Sequence, residues 1–379
     1  MKDWPLKKVG DICEFKYGKN LPESTRIAGS YPVYGSSSIV SYHSESLVKG
    51  PGIIVGRKGT VGKVQFSKGD FFPIDTTFYI TTKASEADMK FLYYRLGLCG
   101  LQDMNSDAAV PGLNRSAALS VKLKVPPIDT QLKISNILSA YDDLIENNLK
   151  RIKLLEEMAQ ITYEEWFVRM RFPGHGSTPV NPATDLPQGW RKVKLGDVCH
   201  LTMGQSPKSE FYNFEKKGFP FHQGVKDYGD RFPTNACWST SGTRYAERGD
   251  VLFSVRAPVG RLNIALEKMI LGRGLAAIRH KQNAQGFLYC LLKKQFFEED
   301  MMGGGAIFNS VTKNDMHRID VVEPSSDILD KYNHLVNATD REIEILHSQN
   351  VRLREARDIL LPRLMTGVID VDELMKETA

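Results

Sequence analysis

The sequence predicts an α+β protein with α/β-like globules, one unit used twice: two globules separated by two long antiparallel helices that form a coiled coil, related by an internal pseudo-two-fold repeat. Three observations carry this. Trp4-Pro-Leu-Lys-Lys-Val-Gly-Asp-Ile-Cys13 returns 186 residues later as Trp190-Arg-Lys-Val-Lys-Leu-Gly-Asp-Val-Cys199. Each half runs through short β-rich pieces broken by Gly, Pro and Ser, and each closes on a proline, Pro127 or Pro324. A long helical pattern then follows in both halves. A duplicated unit presents two equivalent surfaces, which suits a target that is itself repeated or two-fold symmetric, double-stranded DNA above all.

In the first half, Gly52-Ile-Ile-Val55, Gly62-Lys-Val-Gln-Phe66 and Thr76-Thr-Phe-Tyr-Ile80 are rich in β-branched and aromatic residues between turn formers, so they predict strands. A helix is expected around Ala87 to Leu98. Gly249-Asp-Val-Leu-Phe-Ser-Val255 and Ala276-Ala-Ile278 predict strands in the second half, with a helix over Gln285 to Phe297. Gly10, Asp11, Gly196 and Asp197 are expected as turn formers. Further echoes keep their order. Val55-Gly-Arg-Lys-Gly-Thr-Val-Gly-Lys63 is answered by Val255-Arg-Ala-Pro-Val-Gly-Arg261, matching Arg57 with Arg256 and Gly62 with Gly260. Phe91-Leu-Tyr-Tyr94 is answered by Phe287-Leu-Tyr-Cys290. Fixed anchors with differing residues between them suggest one scaffold carrying two sets of contacts.

After Pro127 the period changes: Ile134, Leu138, Tyr141, Ile145, Asn148, Ile152, Leu155 and Ala159 follow in steps of four and three. Tyr332, Val336, Thr339, Ile343, Leu346, Asn350 and Leu353 repeat the pattern before a charged Arg357. This is a heptad seam. About 35 residues at 1.5 Å each span roughly 50 Å, longer than one side of such a globule, so the helices are expected to pair with each other. Asn148 and Asn350 fall on the seam, where a buried amide fixes register; whether the two meet is open.

With 379 residues, 41% hydrophobic and 25% charged, the chain is long enough for two domains and ordinary in composition. No apolar run reaches membrane-spanning length, no secretory signal is seen, and five scattered cysteines show no disulfide framework, so a cytoplasmic protein is expected. A net charge of +5 does not by itself demand a polyanion. Its distribution says more: Val48 to Lys68 carries Lys49, Arg57, Lys58, Lys63 and Lys68 with no acidic residue. Cations beside glycines in a loop suit phosphate, because the backbone approaches closely and counterions are released.

Catalytic signatures are missing. The stretch Gly56 to Lys63 is one residue too long for a phosphate-binding P-loop, and Val64 stands where Mg²⁺ needs Ser or Thr. Asn181-Pro-Ala-Thr184 lacks the aromatic that would stack on a flipped base and reads as a linker turn. Asp88-Met-Lys90 has nuclease-like spacing but reads as charge patterning on a helix. Cys13 and Cys199 suggest packing, and no metal-ligand spacing is present.

Glu164-Glu-Trp-Phe-Val-Arg-Met-Arg-Phe-Pro-Gly-His175, Asp185-Leu-Pro-Gln-Gly-Trp190 and Leu360-Leu-Pro-Arg-Leu-Met-Thr-Gly-Val-Ile-Asp370 together resemble the specificity subunit of type I restriction-modification systems, over the whole chain. Tyr31-Pro-Val-Tyr-Gly-Ser-Ser-Ser38 and Gly56-Arg-Lys-Gly59 resemble recurrent pieces of its recognition domains. The resemblance implies a first target-recognition domain at 1–127, a helical spacer at 128–170, a linker and second target-recognition domain at 171–324, and a second spacer with C-terminal tail at 325–379. It also implies a subunit that is not an enzyme. Each domain would read half of a bipartite DNA site, and the helices would set the spacing and dock two modification (methyltransferase) subunits, with restriction (motor-nuclease) subunits joining. No cofactor is expected on this chain; S-adenosylmethionine, ATP and Mg²⁺ would bind partner subunits. Expected DNA contacts are Lys19, Tyr34, Ser36, Arg57, Lys58 and Lys63 in the first domain. In the second they are Gln205, Gln223, Lys226, Arg244, Arg256 and Arg261. The rival readings are a structural scaffold that assembles subunits and a stand-alone DNA-modifying enzyme.

Overall fold

The computed structural model describes residues 4–83, 87–104, 112–298 and 310–377, which fall into two units: residues 1–149 with 348–379, and residues 150–347. In the first unit β1 (Cys13–Tyr17), β2 (Gly52–Gly56), β3 (Val64–Ser67) and β4 (Thr77–Thr82) form an antiparallel sheet in the order β1-β4-β2-β3. Alternation sends Phe15, Ile53, Val55, Phe78 and Ile80 to one face, where they meet Leu92 and Leu96 of helix α1 (Met89–Gly97). Ile54 points the other way and packs with Tyr34 and Phe71. Buried on both faces, β2 therefore reads as an unbroken apolar run. Helix α1 starts at Asp88, whose carboxylate accepts the Phe91 N–H at 2.7 Å. Asp88 is thus an N-cap, not part of a charged helix face. A smaller sheet places Tyr31–Tyr34 between Ile39–His43 and Phe72–Pro73, and Leu6–Lys8 pairs with Lys122–Lys124.

The second unit repeats the plan. Its β5 (Cys199–Met203), β6 (Val251–Ser254), β7 (Leu262–Ile264) and β8 (Leu275–His280) take the order β5-β8-β6-β7. The parallel pairing of Val33 with Phe72 returns as Phe221 with Ile270, inside a five-stranded second sheet. Arg191–Lys194 pairs with Asp320–Glu323 as Leu6–Lys8 does with Lys122–Lys124. Gly10, Asp11, Gly196 and Asp197 lie in single helical turns, Val9–Ile12 and Leu195–Val198, and the two carboxylates accept the N–H of Lys8 (2.8 Å) and Lys194 (3.2 Å).

Hydrogen bonding corrects one match between the halves. Gly62 N–H donates to Gly56 O (2.8 Å) as Gly260 does to Ser254 O (3.0 Å). Arg57 N–H donates to Thr76 O as Val255 N–H does to Gly274 O, and Leu113 N–H reaches Arg57 O as Val311 N–H reaches Val255 O. Arg57 is therefore equivalent to Val255, not to Arg256; Lys58 is equivalent to Arg256, and Lys63 to Arg261. Matching by residue identity slips one position because the true partner of Arg57 is apolar. Gly62 adopts φ +71° and a Cβ there would lie 2.2 Å from the Leu101 carbonyl carbon, so this turn requires glycine.

Helices α2 (Ile128–Tyr163) and α4 (Ser326–Met365), with α3 (Gln285–Lys293) between them in the chain, are longer than one face of a small globule. Each unit holds part of both long helices. In the first, Asn148 Nδ2 donates to Asn350 Oδ1 at 3.0 Å, and Asn350 Nδ2 donates to Ile145 O at 3.4 Å. In the second, Tyr332 OH donates to Ala159 O at 3.1 Å and Arg151 pairs with Glu342 at 2.7 Å. In both, partner numbers fall as the others rise, so the helices run antiparallel. Ile134, Leu138, Ile145 and Asn148 are buried, as are Tyr332, Val336, Thr339, Ile343, Leu346 and Asn350. Tyr141, Ile152, Leu155 and Leu353 are only half-buried, so the seam is closed at most of its heptad positions but not at all of them, and the two asparagines pair with each other.

Both units close on aromatic and aliphatic clusters. Trp4, Phe91, Ile134 and Leu138 pack with Leu364, Met365 and Val371 in the first. Trp190, Phe287 and Tyr332 pack with Tyr163, Phe167 and Phe172 in the second. The segment after each long helix thus completes a globule core.

Candidate nucleic-acid interface

In each unit four chain segments meet at one end of the central sheet's strands. In the first, Gly18 N–H donates to Thr77 O (3.1 Å), Lys19 N–H to Pro73 O (3.0 Å), Ile74 N–H to Tyr34 O (3.0 Å) and Arg57 N–H to Thr76 O (2.9 Å). In the second, Gly204 N–H donates to Leu275 O (2.9 Å), Gln205 N–H to Leu271 O (2.9 Å), Gly272 N–H to His222 O (2.8 Å) and Val255 N–H to Gly274 O (2.9 Å). Leu271 N–H also reaches Arg244 O at 2.9 Å. These bonds use the backbone as rim and leave side chains to project from it.

On the first rim Lys19, Lys58 and Lys63 are exposed and Arg57 is half-buried. Arg57 lies over the Tyr17 ring, 5.4 Å from its centroid, and its Nε donates to Asp75 O at 3.0 Å. Lys63 Nζ donates to Ser37 O at 2.6 Å, and Ser36 Oγ accepts the Thr60 N–H at 3.4 Å. These bonds fasten the Ser36 loop to the glycine-rich turn. Tyr34 is different: only 7% exposed, its ring meets Phe71 edge-on at 5.7 Å, so it supports the rim from beneath.

The basic run from Val48 to Lys68 is not uniform either. Lys49 pairs with Asp70 at 2.7 Å, and Lys68 with Asp143 at 2.8 Å and with Glu146. Hydrogen bonds to these carboxylates raise both ammonium pKa values above the ordinary lysine value. Both cations are already partnered by protein.

On the second rim Gln205, Gln223, Lys226, Arg244, Arg256 and Arg261 are all exposed. The structure brings Gln205, Gln223 and Arg244 around the turn Leu271 to Gly274. Gln205 Oε1 accepts from Thr243 Oγ1 at 3.3 Å, while Gln223 Oε1 accepts from Ser206 Oγ at 2.6 Å. Arg256 follows Val255, which bonds the same turn; Arg261 N–H donates to Ser254 Oγ at 2.8 Å. Lys226 stands on a single helical turn, Val225–Asp227.

Asp75 and Arg273, which the sequence does not single out, are exposed between the anchors of the two rims. The available signal was Gly272-Arg273-Gly274, one cation between two residues that allow close backbone contact. Cys13 and Cys199 are buried, and burial pushes each thiol up to about 12, which fits packing and not chemistry. Asn181 accepts the Ala183 N–H at 3.0 Å as a turn former. Among the described residues, no helix is long and apolar enough to cross a membrane.

The type I restriction modification DNA specificity domain matches this chain twice, over residues 1–157 and 187–351. The chain belongs to that family. Each matched segment is a DNA specificity domain of that family. A putative type I restriction enzyme MjaX specificity subunit of Methanocaldococcus jannaschii is 32% identical over 263 residues, covering 68% of this chain and 62% of the relative. The match to that relative thus spans less than two thirds of its length. The MjaIX specificity subunit of the same organism is 26% identical over 416 residues, covering 98% of this chain and 95% of the relative. The crystal structure of a type I restriction-modification S subunit from M. genitalium shares the fold, with a TM-score of 0.65, 18% identity and 96% of each chain covered.

Proposed function

We propose that this specificity-family chain recognises a bipartite double-stranded DNA target for a type I restriction-modification complex, residues 1–127 reading one half-site and residues 171–324 the other. The observation that carries this is the repeated rim: one hydrogen-bond frame in both units, with a cation kept at Lys58 and Arg256 and again at Lys63 and Arg261. Phosphates are the same at every site, so cations retained in both halves suit phosphate contact. Bases differ, so the positions that diverge suit base reading: Lys19, Ser36 and Arg57 in one domain, Gln205, Gln223, Lys226 and Arg244 in the other.

The helical spacers, 128–170 and 325–379, set the separation of the half-sites and dock two modification subunits, with restriction subunits joining them. Support for docking comes from Leu154, Met158 and Ile161 of α2, which are 64%, 47% and 61% exposed in steps of four and three. Methyl transfer and cleavage, with S-adenosylmethionine, ATP and Mg²⁺, belong to the partners. The complex works on DNA in the cytoplasm.

Methylation-sensitive sequencing of genomic DNA with and without this gene tests the reading. A bipartite methylated motif that vanishes on deletion is expected; an unchanged methylation map contradicts it. Inserting four residues into the helical spacers changes the preferred gap while both half-site sequences persist.

A further inference from the structure

We infer that one rim position, Asp75 in the first unit and Arg273 in the second, determines specificity, with Asp75 reading cytosine and Arg273 reading guanine. The inference rests on the bipartite-recognition reading above. Equivalence comes from the backbone. Pro73 O accepts from Lys19 as Leu271 O does from Gln205, and Thr77 O accepts from Gly18 as Leu275 O does from Gly204. Asp75 and Arg273 each lie midway between those anchors, and both are exposed. Among the described residues no ion pair engages either side chain.

Their supports are rigid. A Cβ at Gly272 would lie 2.5 Å from Gln223 Cα, and one at Gly274 would lie 2.6 Å from Gln223 O, so the backbone on both sides of Arg273 is pressed against the neighbouring loop. Arg273 N–H donates to Ser206 Oγ at 3.2 Å, and that hydroxyl donates to Gln223 Oε1 at 2.6 Å. Asp75 spends its carbonyl on Arg57 Nε, at 3.0 Å, and keeps its carboxylate free to project.

Inversion of charge at one place in a repeated frame excludes a shared phosphate contact, because a carboxylate is repelled there. In the major groove a carboxylate accepts from the cytosine N4 amino group, and a guanidinium donates two parallel bonds to guanine O6 and N7. The lost discrimination on removing either group is about ten- to a hundred-fold at one base pair.

Genomic methylation maps from cells expressing the full chain or its Arg273→Ala and Asp75→Ala variants test this. The expected result is a motif degenerate at one former guanine in one half-site for Arg273→Ala, and at one former cytosine in the other for Asp75→Ala. An unchanged motif with evenly lowered methylation overturns it, since that is the mark of a phosphate contact. If Arg273→Ala abolishes methylation, Arg273→Gln keeps a polar side chain but presents the donor–acceptor pair that suits adenine rather than the two acceptors of guanine, and is expected to loosen or change the same single position; an intact motif there also overturns the proposal. Absence of any bipartite motif for the unaltered chain would instead defeat the recognition reading beneath it.

Discussion

Asp142 in the first unit and Asp340 in the second each follow a seam position of their helix, Tyr141 or Thr339, yet different groups hold them. Asp142 accepts from Tyr94 OH at 2.5 Å and from Arg357 Nη1 at 2.6 Å. The counterpart of Tyr94 is Cys290, which offers no comparable donor. Asp340 is held instead by Arg231, which also reaches Glu156 at 3.3 Å and lies over the Tyr289 ring at 4.4 Å. Arg231 is 5% exposed, and burial pushes the Asp340 carboxyl above its ordinary value against the pull of that guanidinium. The frame is retained while the residues that satisfy it are exchanged. The rims follow the same rule, with strands and turns superposable in their hydrogen bonds and side chains largely replaced.

The largest effect expected from breaking this contrast is at Arg231. Arg231→Ala strands two carboxylates and is expected to destabilise the second unit by about 3–5 kcal/mol. Arg357→Ala, at a more exposed pair, is expected to lower the stability of the first by only about 1.5 kcal/mol. Urea denaturation of the full chain, followed by hydrogen exchange in each unit, measures both; equal losses would remove the distinction.

Next comes the asparagine pair. Asn148→Leu or Asn350→Leu alone leaves the other amide buried without its partner and is expected to lose about 1–3 kcal/mol, whereas the double replacement recovers most of it. A double variant as unstable as the sum of the singles would show that the two amides act independently.

Smaller in energy but sharper in meaning, Lys58→Ala and Arg256→Ala are each expected to reduce the salt slope of DNA binding by about one, without altering the preferred sequence. Lys49→Ala, already paired with Asp70, is expected to leave the slope alone.

The smallest effect concerns pH. Burial lowers the pKa of His222 and His280, both in the second unit, below the ordinary 6.5. The unfolded chain then takes up protons first, so the second unit keeps its full stability above pH 6.5 and loses it as pH falls toward the depressed folded values. His222→Gln is expected to flatten the decline in melting temperature measured from pH 7.5 to 5.5; an unchanged decline would exclude His222 as its source.

Much of this frame was legible because backbone order follows pattern. The strand runs, the heptad seam and the duplicated Gly-Asp turns depend on periodicity and local chemistry, which sequence displays directly. Pairing of Asn148 with Asn350 needed the helix register, which no single helix encodes. Tyr34, a tyrosine in a polar loop block, reads in the sequence as a contact, while its burial depends on Phe71, remote in sequence. Lys49 and Lys68 looked free for the same reason: the carboxylates that hold them arrive from Asp70, Asp143 and Glu146. Asp75 and Arg273 stayed hidden because their equivalence lies in hydrogen-bond register, not in residue likeness.

Whether each globule reads its own half-site is tested most directly by a methylation map from cells expressing the full chain with Gln205, Gln223 and Arg244 all changed to alanine. The predicted result is one half-site with every base unchanged and the other degenerate. Loss of definition in both half-sites, or in neither, would contradict it.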